Sequence, residues 1–113
     1  TMKNLYKSRR YADCLFFGHL MLEQILKALI VKETSEHAPR KHNLPHLAKL
    51  AKLSIDDDSI KLLAKINEFN MQARYPDEKF LFYKSCTKSY TDEYYEKINY
   101  LYKYLCRLTK QKK

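Results

Sequence analysis

The sequence predicts an all-α domain, folded as an antiparallel bundle of four to five helices. Its 113 residues contain one glycine and three prolines, so turn signals are few. Hydrophobic residues make up 45% of the chain, and they recur at spacings of three and four between charged residues, which is the period of a helix and not of a strand. A chain of this length holds one hydrophobic core, and we expect a single domain over residues 1–113.

The central element is a long helix predicted over residues 10–33. Its apolar residues recur at steps of three, four and seven, which is typical of a heavily buried helix. His19, Glu23 and Lys27 follow one another at four-residue steps, so their side chains lie along one line of this helix. The line fits either a ladder of ion pairs or the wall of a polar pocket, because a carboxylate in so apolar a helix needs a partner. We group His42 with these three residues as a candidate polar pocket.

Two shorter helical segments lie on either side of the long helix. Residues 1–7 are too few to form a stable helix alone, and we interpret them as the end of a truncated first helix. After a polar loop over residues 34–41, Asn43 is a good helix cap and Pro45 suits the first turn that follows it. A short helix is therefore expected from Asn43 onward.

The second half of the chain predicts two further helices. The acidic run Asp56-Asp57-Asp58 stands where a helix should begin, and its charge favours the helix N-terminus. Capping explains this run better than metal binding, because no second acidic cluster is evident, and we predict no metal site. Tyr75 precedes Pro76, so this helix should end there. Residues 77–86 are predicted as a loop or a short irregular helix, and the last helix should begin within residues 87–92.

The net positive charge of the chain has two possible roles. The chain carries 22 lysine and arginine residues against 13 aspartate and glutamate residues, which gives a formal net charge of +9. A positive field of this size attracts phosphate groups. Lysines on exposed helix faces also serve solubility, and composition does not separate the two roles.

Cysteines and apolar segments argue against several classes of protein. Three cysteines without a Cys-x-x-Cys pair are not typical of a disulfide framework or a structural zinc site. The strongest apolar run, residues 20–31, is interrupted by Glu23, Gln24 and Lys27 and is too short and too polar to span a bilayer. No signal peptide is visible, so we expect a cytoplasmic protein without a membrane partner.

Three segments, in order, resemble the signatures of one family. Residues 10–29, which begin Arg-Tyr-Ala-Asp-Cys-Leu, are similar to the first long helix of HEPN domains, the nucleotide-binding domains of higher eukaryotes and prokaryotes. Residues 39–44, Pro-Arg-Lys-His-Asn-Leu, resemble that family's P-x-x-H-x-L turn, and Ala73-Arg74-Tyr75-Pro76-Asp77 resembles its next signature. Together the three segments span residues 10–77, which is most of the chain.

The resemblance implies a ribonuclease motif that this chain carries only in part. Many HEPN domains are metal-independent ribonucleases whose motif is an arginine, four to six intervening residues and a histidine. Arg74 matches the arginine, but Lys79, Phe80 and Leu81 occupy the positions where the histidine would stand. Lysine is normally protonated at neutral pH and the other two have no titratable proton, so we lean against an enzyme. A ribonuclease with a degenerate motif remains an alternative, and His42 is then the best candidate to approach Arg74 through folding.

The resemblance is closer to small stand-alone HEPN proteins found beside a minimal nucleotidyltransferase, a pairing associated with toxin–antitoxin systems. In fused nucleotidyltransferases of this arrangement, the bundle serves as a substrate-binding subunit and helps to form the nucleotide site. The resemblance therefore implies a nucleotide- or RNA-binding partner module without a cofactor. On this interpretation Arg74 contacts phosphate, and Tyr75, Lys79 and Tyr83 assist it.

Two expectations concern assembly. The apolar excess of a short bundle and the family's habit of building its site at a two-fold interface imply a homodimer, with two Arg74 side chains near one cleft. A purely structural, protein-interacting bundle is the remaining alternative. That alternative requires Arg74 to form an internal ion pair with Asp77 or Glu78.

Overall fold

The computed structural model describes residues 2–72 and 74–110. Within them no strand is present, and the helices are α1 (Met2–Lys7), α2 (Tyr11–Thr34), α3 (Leu44–Leu50), α4 (Asp57–Gln72), α5 (Pro76–Ser85) and α6 (Lys88–Thr109). The predicted all-α helical bundle is confirmed. The described residues form six helices instead of the predicted four to five, because α5 is a helix of ten residues in the segment predicted as a loop or a short irregular helix.

Helix α2 lies at the centre of the bundle. It packs most extensively against α6 and also contacts α1, α3, α4 and α5. Leu15, Leu22 and Leu26 of α2 and Ile98 and Leu105 of α6 are fully excluded from solvent. Each such side chain stabilises the fold by about 1.5–3 kcal/mol relative to an exposed one. The prediction that the long helix is the central, heavily buried element is confirmed.

The close approach of α2 and α6 depends on Gly18, the one glycine of the chain. A Cβ atom at this position would lie 2.9 Å from Cδ1 and 3.3 Å from Cγ2 of Ile98. Glycine in a helix interior costs about 0.5–1 kcal/mol relative to alanine. We infer that the packing of Ile98 against the bare backbone offsets this cost.

Side-chain caps fix the starts of α3, α4 and α6. The side-chain oxygens of Asn43, Asp56 and Thr87 each accept a hydrogen bond from the backbone N–H three residues later, at 3.0, 2.8 and 3.2 Å. Each cap satisfies an N–H group that has no partner inside its own helix, which stabilises the helix by about 1 kcal/mol. The predicted helix starts are therefore correct at all three positions.

Tertiary contacts hold the short helix α1 in place. The Tyr6 ring stacks on Tyr95 of α6 with centroids 4.5 Å apart, and its hydroxyl donates a hydrogen bond to the Asp92 carboxylate. Met2 is buried in the core. Six residues are too few for an isolated helix, so packing against α2 and α6 is what maintains α1.

The sequence analysis judged residues 20–31 too short and too polar to span a bilayer, but the complete helix α2 is long and apolar enough to do so by length and composition. In the structure it is instead the core helix of a globular bundle, with neighbours on several sides. Four of its five leucines, Leu15, Leu22, Leu26 and Leu29, are buried in this packing. The apolar character of α2 is accounted for by this packing.

Candidate functional site

The segment that carries Arg74 connects α4 to α5. The Arg74 backbone N–H donates to the Met71 carbonyl at 3.2 Å, and the side chain is exposed. Asp77 and Glu78 follow in the first turn of α5. Even so, none of the ion pairs in residues 2–72 and 74–110 involves Arg74. Within the described chain the guanidinium is therefore available to an external anion.

The other three residues predicted for this site lie at the start of α5 and along it. Tyr75 is extended, with φ −110° and ψ 128°, and provides no side-chain cap for α5. Its carbonyl accepts the Lys79 N–H at 2.7 Å. Lys79 and Tyr83 are one helical turn apart and share a face, and the Tyr83 side chain is 70% exposed. Arg74, Tyr75, Lys79 and Tyr83 thus form an exposed basic and aromatic stretch, which we call the Arg74 surface.

The second group of predicted residues meets around Glu23. Lys27 donates to the Glu23 carboxylate at 3.2 Å, and Nδ1 of His42 lies 3.0 Å from both carboxylate oxygens. Nδ1 of His19 is 3.8 Å from Oε1 of Glu23. His42 therefore connects the loop before α3 to the middle of α2. We call these four residues the Glu23 cluster.

Burial and hydrogen bonding act in opposite directions on the Glu23 cluster. Burial by itself would raise the pKa of Glu23, but hydrogen bonds from His42 and Lys27 outweigh it, so the pKa is lowered. Burial lowers the pKa of His19, and the nearby negative charge of Glu23 opposes this only in part. At neutral pH the cluster thus holds an ionised carboxylate beside a neutral buried imidazole.

His19 is the least satisfied polar side chain of this cluster. It is fully buried, and neither ring nitrogen has a hydrogen-bond partner in the described part of the chain. Asn67 of α4 is adjacent to the ring, although its side-chain oxygen accepts the Leu44 N–H at 3.2 Å. The sequence analysis did not identify Asn67. No local sequence pattern marks it, because Asn67 belongs to α4 and its approach to α2 is set by tertiary packing.

The two groups of residues are not joined in the described chain. No hydrogen bond or ion pair links the Glu23 cluster to Arg74. His42, the histidine considered for approach to Arg74, contacts Glu23 instead. The described residues also contain no group of three His, Cys, Asp or Glu side chains that could hold a metal ion.

A further cleft lies between α4 and α6. Its volume is about 780 Å³, with Leu62, Tyr94 and Leu101 among its lining residues and Lys61 and Lys97 contributing charge. No residue of the Arg74 surface or of the Glu23 cluster lines this cleft. The sequence analysis did not anticipate it, because the periodicity of each helix does not reveal how far apart two neighbouring helices lie.

Comparison with protein families tests the family resemblance that the three sequence segments suggested. The family model of the HEPN domain matches residues 1–111. The chain belongs to the HEPN domain family. Comparisons with curated proteins and with solved structures found no match. Membership of the HEPN family implies a function related to nucleotides or RNA.

Proposed function

We propose that this HEPN domain is a nucleotide- or RNA-binding partner module that contacts phosphate through Arg74. The observation that carries the proposal is an exposed guanidinium without a carboxylate partner in the described chain. Its planar fork can hold two phosphate oxygens at once through charge-assisted hydrogen bonds.

The side chains next to Arg74 could contact the base and further phosphate groups of a nucleotide. Tyr75 and Tyr83 are 58% and 70% exposed, and exposed aromatic rings can stack on bases at about 1–3 kcal/mol per base. Lys79 adds a second positive charge on the same face of α5 as Tyr83. A basic residue beside two exposed rings suits a single-stranded or mononucleotide ligand better than a duplex, whose bases are stacked on one another.

Two alternatives fit the chain less well. A ribonuclease needs a general base near the phosphate, and Lys79, Phe80 and Leu81 replace the histidine that the family's motif supplies. A purely structural bundle requires Arg74 to pair with an acidic neighbour in α5, and no such ion pair occurs in the described residues. Both observations favour the binding module.

The proposal extends to partners and location. A minimal nucleotidyltransferase is the proposed partner chain, in an arrangement of the toxin–antitoxin type, because the chain resembles the stand-alone HEPN proteins of that arrangement. Two copies of the chain are proposed to associate with each other. The cytoplasm is the proposed compartment, which agrees with a compact bundle whose most apolar helix lies in its core.

Removal of the Arg74 guanidinium tests the binding proposal. Arg74→Ala should weaken binding of a labelled single-stranded oligoribonucleotide about 10- to 100-fold, since a charge-assisted hydrogen bond contributes about 1.5–3 kcal/mol. Arg107→Ala removes the same charge from an exposed position on α6 and should change affinity far less. Fluorescence anisotropy at fixed salt measures both variants.

The affinities of these variants distinguish a specific phosphate contact by Arg74 from a general effect of net charge. Equal affinity of Arg74→Ala and wild type would remove Arg74 from the site. If Arg74→Ala and Arg107→Ala lost the same amount of binding affinity, the loss would be explained by the lower net charge alone. Tyr75→Ala and Tyr83→Ala should each weaken binding, whereas Tyr83→Phe should not, because stacking needs the ring and not the hydroxyl.

A further inference from the structure

The segment around α3 carries positive charge without any acidic residue. Residues 37–55 include one arginine, three lysines and three histidines, and all 13 acidic side chains of the chain lie outside them. The lysine and arginine side chains of this segment are all exposed, namely Arg40, Lys41, Lys49 and Lys52. A surface that serves only solubility normally mixes charges of both signs. A single sign over this length of chain indicates a surface for a polyanion.

Four of the basic side chains flank the solvent side of α3. Three-residue steps separate His46, Lys49 and Lys52, which places the first two on one face of α3 and Lys52 just beyond its end. Lys41 joins them, because its Nζ lies 3.1 Å from Nε2 of His46. None of the three lysines forms an ion pair within the part of the chain that the structure describes. We call Lys41, His46, Lys49 and Lys52 the α3 row.

Lys52 occupies a backbone conformation that suits glycine better than lysine. Its φ is 56°, and the helix ends there with the Leu53 N–H bonded to the Ala48 carbonyl at 3.2 Å. Glycine is the residue most often found at this left-handed position of a helix end, because a Cβ makes the conformation unfavourable. A charged side chain therefore stands here at some loss of stability. A contact made by its ammonium group would account for a lysine at this position.

The start of α3 lies near the end of α4 that leads to Arg74. The Leu44 N–H donates to the side-chain oxygen of Asn67 at 3.2 Å. Arg74 follows Asn67 by seven residues, which corresponds to about 10 Å at the helical rise of 1.5 Å per residue. Lys41 precedes Leu44 by three residues. The α3 row therefore begins within reach of a short single strand whose phosphate contacts Arg74.

We propose that the α3 row is a second phosphate-binding region, and that the ligand of this domain is an extended single-stranded RNA instead of a mononucleotide. The inference rests on the proposed phosphate contact of Arg74 and specifies the ligand of that contact. A mononucleotide is too short to contact both regions. A strand that passes both of them places several phosphates against basic side chains, which is how single strands are bound.

An anionic membrane fits the α3 row less well than RNA does. A helix that lies on a membrane inserts an apolar face between the lipids. Leu44, Leu47 and Ala48 of α3 are instead buried in the core of the bundle. The row therefore offers charge without an apolar face to insert, which favours the phosphates of a nucleic acid.

Two lengths of RNA test this inference. Wild type should bind a labelled oligoribonucleotide of about 12 nucleotides about tenfold more tightly than a dinucleotide, because only the longer strand contacts both regions. The double variant Lys41→Ala with Lys49→Ala should weaken binding of the longer strand about tenfold and leave the dinucleotide unaffected. Fluorescence anisotropy measures the longer strand, and a chemical-shift titration measures the dinucleotide.

A second double variant is the matched control for net charge. Lys103→Ala with Arg107→Ala removes the same charge from exposed positions of α6 and should change either affinity by no more than about twofold. Circular dichroism should give both double variants the helicity of wild type, since all four positions are exposed.

Lys52→Gly separates binding from folding. Glycine adopts the left-handed conformation readily, so the melting temperature should rise by a few degrees. Loss of the ammonium group should weaken binding of the longer strand about two- to fivefold. A purely structural role for Lys52 would not change stability and affinity in opposite directions.

Several results would overturn the inference. Wild type that binds the longer strand no more tightly than the dinucleotide would do so, as would equal losses in the two double variants. Weaker binding of the Lys41 and Lys49 double variant to phosphatidylserine vesicles, with unchanged RNA affinity, would assign the α3 row to a membrane surface instead. If Arg74→Ala left both RNA affinities unchanged while this double variant still weakened the longer strand, the proposed role of Arg74 would fail and the α3 row would stand.

Discussion

At the scale of single residues, Glu23 lies close to three basic side chains of the described chain. Its side chain is 12% exposed and contacts Lys27, His42 and His19 at 3.2, 3.0 and 3.8 Å. Lys27 and His19 belong to the same helix, whereas His42 comes from the loop before α3. The cluster therefore stabilises the position of that loop on α2 as well as the charge of Glu23.

Replacing Glu23 should reveal this contribution and its dependence on pH. We expect Glu23→Gln to lower the free energy of unfolding by about 1–3 kcal/mol at pH 7, since hydrogen bonds to a charged group are lost. The pKa of Glu23 is lowered in the folded state, so its contribution is present above the ordinary value near 4.5 and disappears as pH falls through the lower folded value. Urea titrations at pH 7 and at about pH 3 measure the difference.

An exposed ion pair provides the matched control for Glu23. Glu93→Gln breaks a pair with Lys97 in which both side chains are more than half exposed. Its cost should stay below about 1 kcal/mol. Equal effects of Glu23→Gln and Glu93→Gln at pH 7 would contradict a stabilising role for the cluster.

His19 should make the fold sensitive to mild acid. Its pKa is lowered by burial, so the folded state binds fewer protons than the unfolded state below the ordinary value of 6.5, and stability falls as pH falls through that value. His19→Leu removes this titration and should flatten the decline in stability between about pH 6.5 and 5. His37→Leu, at an exposed loop position, should leave the decline unchanged. A decline in His19→Leu as steep as that of wild type would show that another group causes it.

Sequence spacing accounts for only part of the Glu23 cluster. Four-residue steps place His19, Glu23 and Lys27 along one line of α2, and the structure brings them together. The position of His42 depends on how the loop returns to α2, which local pattern does not encode. Asn67 was missed for the same reason, because it comes from another helix whose orientation is set by tertiary packing.

At the scale of the helices, Gly18 sets the distance between α2 and α6. A larger side chain would displace Ile98, which is fully buried in α6. We expect Gly18→Val to lower the free energy of unfolding by about 1–3 kcal/mol through overpacking. Ala28→Val, at an exposed position on α2, should cost only a few tenths of a kcal/mol from helix propensity. Thermal unfolding of both variants compares them, and equal losses would exclude packing as the cause.

Helix α5 shows why the sequence predicted some helices better than others. The long helices α2 and α6 bury continuous stripes, so their periodicity is visible. Helix α5 buries only Phe82, and its other large side chains face solvent. It therefore lacks the core-facing stripe on which such predictions depend.

At the scale of the whole molecule, the net charge of +9 should make nucleic-acid binding sensitive to salt. Each phosphate contacted on a single strand contributes about −0.7 to the slope of log affinity against log salt concentration. Arg74→Ala should therefore make the slope shallower by about 0.7. Anisotropy titrations at several salt concentrations measure it. An unchanged slope would mean that Arg74 does not contact phosphate.

We propose that this HEPN domain binds RNA without cleaving it, because Arg74 lacks the histidine of the family's motif. The most direct measurement follows binding and integrity of one labelled single-stranded RNA in the same sample, without added metal. We predict saturable binding by wild type, weakened in Arg74→Ala, with the RNA intact throughout. Without a general base, about two to four orders of magnitude of rate are missing. Robust cleavage by the purified protein, abolished by Arg74→Ala, would contradict the claim.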